Sequence, residues 1–152
     1  MMEKIKELRE QTGAGIMDAK KAIEEAGGDM EKAKAIITAK GLARAESKAD
    51  REVSSGKVYC YTHGGGTVAA MVEVACETDF VAKTPEFEAL CKELAMQIVS
   101  MDPKNTEELL AQDYIRDSGK TIDQVIKELS GKTGENIRVT RFVRFKLGMG
   151  ES

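Results

Sequence analysis

The chain has 152 residues, 41% hydrophobic and 32% charged, the balance of a soluble globular chain with one domain or a small domain joined to a larger one. A net charge of −3 and a pI near 5.4 argue against nucleic acid as the main ligand of the whole surface. With 5% aromatic residues and no Trp, the core must rest on Ile, Leu, Val, Met and Ala. Three cysteines, Cys60, Cys76 and Cys91, form no C-x-x-C pair, and an odd count fits a reduced cytosolic chain. Cys60 and Cys76 lie in strand-like runs and read as small hydrophobes. Charges at Glu3, Lys4, Lys6 and Glu7 leave no signal-peptide apolar stretch, and no run approaches the ~18 apolar residues a membrane span needs. A cytoplasmic protein away from membranes is expected.

Residues 1–40 read as a separate module of three short helices. The first, about Lys4 to Gln11, carries Ile5 and Leu8 on one side and breaks at Thr12-Gly13-Ala14-Gly15. The second, about Ile16 to Glu25, places Ile16, Ala19, Ile23 and Ala26 at helical spacing and ends at Gly27-Gly28. Asp29 is positioned to cap the third, which carries Met30, Ala33, Ile36 and Ile37 and is expected to stop at Gly41. Residues 41–56 form a helical connector in which Arg44, Lys48 and Arg51 alternate with Glu46, Asp50 and Glu52, a solvated mixed-charge face.

Residues 57–152 change to strand patterns. Lys57 to Thr62 and Thr67 to Cys76 flank His63-Gly64-Gly65-Gly66, a hairpin signal, and Val68, Ala70, Val72, Val74 and Cys76 alternate onto one face. Thr84 and Pro85 open a long helix with Phe87, Leu90, Cys91, Leu94, Ala95, Ile98 and Met101 inward, ended by Asp102-Pro103. Thr106 can cap a turn through Leu109 and Leu110, and Asp117 to Lys120 reads as a loop. Thr121 and Gln124 have capping-box spacing for a helix through Ile122, Val125, Ile126 and Leu129, closed by Gly131 or Gly134. The last strand alternates Ile137, Val139, Val143, Phe145 and Leu147 on one face against Arg138, Thr140, Arg144 and Lys146. The fold class is α+β: a three-helix bundle, then an antiparallel sheet layered with helices.

Between the apolar run ending at Cys76 and the helix at Pro85 stands Glu77-Thr78-Asp79-Phe80-Val81-Ala82-Lys83. Either Phe80 tucks into the core while Asp79 caps a turn, or the pair projects. His63 with its glycines resembles an oxyanion loop but lacks a G-x-S-x-G elbow and a second histidine. One histidine and scattered cysteines supply no zinc site, and Thr12-Gly13-Ala14-Gly15 is neither a Walker loop nor a dinucleotide fingerprint. No catalytic or metal-binding residue and no cofactor is expected.

Three segments carry a family resemblance. Leu8-Arg9-Glu10-Gln11-Thr12-Gly13-Ala14-Gly15-Ile16-Met17-Asp18-Ala19-Lys20-Lys21-Ala22, followed by Gly27-Gly28-Asp29 and Lys40-Gly41, resembles the amino-terminal module of bacterial elongation factor Ts. The Glu77-to-Lys83 stretch resembles that family's central motif, and Gly134-Glu135-Asn136-Ile137 with Arg141-Phe142-Val143-Arg144-Phe145 is similar to its closing segment. The resemblance implies a guanine nucleotide exchange factor for elongation factor Tu, not an enzyme. It implies that residues 1–40 form a ubiquitin-associated-like (UBA-like) bundle docking on the GTPase through Leu8, Arg9, Thr12, Gly13, Ala14, Gly15, Ile16 and Met17. It also implies that Thr78, Asp79, Phe80 and Val81 enter beside the nucleotide's magnesium. Longer members carry two core modules and a helical hairpin; here one module is expected, with about Asp102 to Lys120 in the hairpin's place. A homodimer could replace the second module, since the Arg138-to-Lys146 strand offers an edge for pairing. The alternative reading is an RNA-binding module using Arg44, Lys48 and Arg51 with Arg138 and Arg144.

Overall fold

A computed structural model describes residues 1–148 and the backbone of 150–151. The expected end of the core module at residue 152 lies outside the described residues. Helices α1 (Met2–Thr12), α2 (Ile16–Glu25) and α3 (Met30–Ser47) open the chain. Asp29 caps α3, its carboxylate accepting from the Glu31 and Lys32 amides. Ile5, Leu8, Ala19, Ala22, Ile23 and Ala33 make the bundle's core. Half of these are alanines, which let the helices approach closely but bury little apolar area, so the bundle's own stability is small. Ile16, at helical spacing with the buried Ala19 and Ile23, is itself 55% exposed.

The break expected at Gly41 does not occur, and α3 continues to Ser47. The reason is a packing partner further along the chain. At Gly131 of α7 (Ile122–Thr133) a Cβ would sit 2.3 Å from the Gly41 carbonyl oxygen, so the two helices cross with their backbones in contact. Glycine serves close approach here, and the helix-breaking tendency of Gly41 is overridden by tertiary packing. The connector is therefore helical only through Ser47, and a run of turns over residues 48–51 follows before the first strand.

Strands β1 (Ser55–His63) and β2 (Val68–Cys76) form the expected antiparallel hairpin around a tight turn of Gly64–Gly66, each glycine at positive φ. A single helical turn, α4 (Asp79–Ala82), leads into α5 (Pro85–Met101). Thr84 caps α5 by accepting from the Phe87 amide at 3.2 Å, and Asp102 in the left-handed region ends it. Phe87, Leu90, Cys91, Leu94, Ala95 and Ile98 are buried against the sheet, whereas Met101, expected inward, is half exposed. Helix α6 (Thr106–Ala111) is capped by Asn105, one residue before the Thr106 expected for that task.

The expected loop at Asp117 to Lys120 is instead strand β4 (Asp117–Thr121), paired with β3 (Asp113–Tyr114). Gln97, fully buried in α5, makes this possible. Its amide nitrogen donates to Gln112 Oε1 and the Asp113 carbonyl, and its oxygen accepts from the Ile115 amide. A buried polar side chain whose donors and acceptor are used pins the hairpin to α5. Helix α7 starts with the full Thr121–Gln124 capping box and ends at Gly134 (φ 76°).

Strands β5 (Arg138–Lys146) and β6 (Gly150–Glu151) complete a four-stranded antiparallel sheet in the order β1-β2-β5-β6. Ala70, Val72, Val74 and Cys76 face the helices, as the alternation of β2 predicts. The alternation predicted for β5 fails. Opposite β2, Glu73 pairs with Arg141 while Val74 pairs with Val139, leaving Thr140 as an extra residue. That bulge flips the side-chain phase. Val139 and Phe142 now pack on the core, while Val143 and Phe145 lie across from Met71 and Ala69 on the outer face. Glu73 stabilises the bulge by accepting from the Thr140 hydroxyl at 2.6 Å.

Candidate partner-binding site

Residues 77–82 are held in a narrow set of positions by residues more than fifty places later. The Glu135 carboxylate accepts from the Glu77 and Thr78 amides, each at 3.0 Å, and from the Thr78 hydroxyl at 2.6 Å. In return the Glu77 carboxylate accepts from the Asn136 amide, and Asn136 Nδ2 donates to the carbonyls of Ala49 (3.1 Å) and Arg51 (2.7 Å). Arg51 stands 3.7 Å from Glu77. Thr78, not Asp79, caps α4 by accepting from the Val81 amide.

With about 100° between successive helical residues, the two inward positions of a single turn dictate the outward ones. Val81 and Ala82 are buried against the sheet, so Asp79 and Phe80 face solvent. Phe80 is 87% exposed, the most exposed aromatic ring among the described residues. The reading in which Phe80 enters the core and Asp79 caps a turn is thus overturned. Val81, expected at the surface, is the anchor instead. A large ring is thus left in water on a turn pinned by four charge-assisted hydrogen bonds.

The second group of expected residues gathers at the α1–α2 corner. Gly13 donates to Arg9 O at 2.8 Å, Arg9 Nε donates to the Ala14 carbonyl, and the Thr12 hydroxyl bridges Leu8 O and the Ala14 amide. Gly15, Ile16 and Met17 are exposed, and a groove of about 440 Å³ lined by Met2, Ile5, Arg9, Gly13, Ala14 and Ile16 runs beside them. Leu8 does not belong to this surface: it is fully buried in the bundle core, because its position on α1 faces α2 and α3. Met2, 78% exposed at the groove, was not singled out from sequence, since a residue at a chain terminus has no periodic context.

Nucleophilic chemistry finds no foothold at the buried cysteines. Burial pushes the Cys76 thiol above its ordinary range and the Cys91 thiol up to about 12, and the reactive form is the thiolate. Cys76 donates to the Thr78 carbonyl and packs as a core residue, whereas Cys60, read as a small hydrophobe, lies exposed on the outer sheet face. Among the described residues no group of three or more His, Cys, Asp or Glu could hold a metal ion. Nor is any helix among them long and apolar enough to cross a membrane.

A family model described as elongation factor TS matches residues 77–151, beginning at the first residue of the pinned turn. A protein of Coprothermobacter proteolyticus named elongation factor Ts is 41% identical over 189 aligned residues, covering 95% of this chain and 96% of the relative. The chain belongs to the elongation factor Ts family. The elongation factor Ts of Desulforamulus reducens is 41% identical, with 96% of this chain and 88% of the relative covered. That of Aquifex aeolicus is 46% identical over 149 residues, but the chain spans only 51% of its length. The 189 positions aligned with the Coprothermobacter elongation factor Ts exceed the 152 residues here, so that relative holds residues this chain lacks. Membership in the elongation factor Ts family places the chain in the elongation stage of protein biosynthesis.

Proposed function

We propose that the chain is a cytoplasmic guanine nucleotide exchange factor for elongation factor Tu. The observation that carries this reading is Phe80, 87% exposed beside Asp79 on a turn locked by Glu135 and Asn136. A GTPase holds its nucleotide through Mg²⁺ bridging the phosphates and a phosphate-cradling loop. An exchange factor needs no catalytic group; it must bind the nucleotide-free conformation better than the loaded one. By linkage, the factor weakens nucleotide by the same ratio that nucleotide weakens the factor. Phe80 acts as an apolar wedge that shifts a neighbouring element of the GTPase. Asp79 holds the shifted state by hydrogen bonding and repels phosphate, and Thr78 and Val81 fix the pair from beneath. The bundle is a UBA-like docking module whose Ile16, Met17 and groove give affinity common to both states.

The expected result is accelerated release of labelled GDP from elongation factor Tu, with the complex dissociated by excess GDP and Mg²⁺. Unchanged release at saturating chain would refute the reading. The RNA-binding alternative is weakened by the pairing of three of its five residues: Arg44 with Asp18 at 2.8 Å, Arg51 with Glu77, and Arg144 with Asp102 and the Val99 carbonyl. Cations already matched to carboxylates have little left for phosphates.

Self-association belongs to the same proposal. The bulge at Thr140 places Val143 and Phe145 on the outer sheet face with Val58, Cys60 and Met71, and Val58, Met71 and Phe145 are each about half exposed. A second copy would cover this face isologously. Light scattering at ~10–50 µM, a range that populates weak pairs, should give a dimer mass that persists in reductant. A monomer there would count against it.

A further inference from the structure

We infer that the last turn of α7 and the residues just after it set the spacing between the two partner-binding surfaces, with Gly131 fixing the bundle and Glu135 fixing the turn; this rests on the exchange reading above. Toward the bundle, Gly131 is buried and a side chain there would meet Gly41 at 2.3 Å from its oxygen and 2.7 Å from its Cα. One residue on, the Lys132 side chain lies over Gly13 so closely that a Cβ at Gly13 would stand 2.6 Å from Lys132 Cε. Lys127 reaches Glu46 of α3 at 3.7 Å. In the same last turn, Ser130 donates to the Glu135 carbonyl, tying the segment after α7 back to the helix, and the Glu135 carboxylate takes the Glu77 and Thr78 amides. Residues 130–135 thus tie the Gly13 corner to the base of the turn that carries Asp79 and Phe80, which are otherwise far apart in sequence.

The consequence is a positioning role. Once the bundle is docked, Phe80 is presented to the GTPase at an effective concentration set by this spacing. Loosening either contact leaves both surfaces chemically intact but lowers that concentration. Gly131→Leu pries α3 from α7, and Glu135→Ala frees the turn. Glu135→Gln keeps an oxygen for the two amides and offers an amide nitrogen to the Thr78 oxygen, so it is the rescuing variant.

The experiment measures affinity for GDP-loaded elongation factor Tu, maximal GDP release rate and thermal unfolding on the full chain. Gly131→Leu and Glu135→Ala should lower the maximal rate about 10-fold with affinity for the loaded GTPase within about 2-fold of wild type. Glu135→Gln should restore most of the rate. If Gly131→Leu does not fold, Gly131→Ala replaces it with the same expectation at smaller size. Folded variants that release GDP at the wild-type maximal rate, or lose affinity in step with rate, would overturn the spacing role. A wild-type chain that fails to accelerate release overturns the exchange reading itself, before any variant is compared.

Discussion

Phe80→Ala slows GDP release from elongation factor Tu by about 30-fold or more, equivalent to the ~2 kcal/mol typical of an aromatic hot spot. Its unfolding free energy moves by less than about 0.5 kcal/mol, as for surface changes. The two effects separate because Phe80 is 87% exposed while Val81 and Ala82 of the same turn carry the packing. Had the ring been buried, truncation would cost about 3–5 kcal/mol of stability. Asp79→Ala should slow exchange in the same direction without loosening α4, since Thr78 supplies the cap. His63→Ala is the control: the side chain is exposed at the β1–β2 hairpin and contacts Tyr61 only locally. Labelled-GDP release and thermal melts on these three proteins decide the matter. A Phe80→Ala protein that melts far lower yet exchanges normally would end the wedge mechanism.

Deleting residues 1–40 should weaken binding to elongation factor Tu by about 100-fold, the scale on which losing a few buried apolar anchors operates. Cooperative unfolding of the remainder should persist. The larger core runs from Ala70 to Ile137 with Tyr59 and Tyr61 packed on it, and no residue before the β1 strand belongs to it. The cut falls inside α3, so residues 41–47 must stay on α7, where Ala45 is buried. Maximal release at saturating truncated chain should fall less than affinity does, because the Asp79–Phe80 turn is untouched. A truncation without a melting transition would show that the bundle and the sheet layer fold as one unit.

Much of the local structure is legible in single segments because its hydrogen bonds close within three or four residues. Asp29 over α3, Thr84 with Pro85 over α5, and Thr121 with Gln124 over α7 are capping arrangements that a short window contains entirely. The His63–Gly66 turn and the alternation of β2 are of the same kind. The resemblance of Leu8–Ala22, Glu77–Lys83 and Gly134–Ile137 pointed to the family for a related reason: short runs with demanding geometry tolerate few alternatives.

Other features depend on partners a local window does not hold. Helix α3 passes Gly41 because Gly131, ninety positions later, needs a backbone to lie against. Strand β5 changes face at Thr140 because the register with β2 shifts there, which turns Phe145 from an expected core residue into an exposed one. Gln97 is a polar residue within an apolar helix and is buried because the β3–β4 hairpin satisfies it. Composition and local pattern therefore determined most of the elements and their caps. Only the tertiary structure decided that Phe80 points outward and Leu8 inward. The direction of a side chain on a short element depends on which neighbours are buried, and here Glu135 and Asn136, 57–59 residues away, hold the turn that orients Phe80.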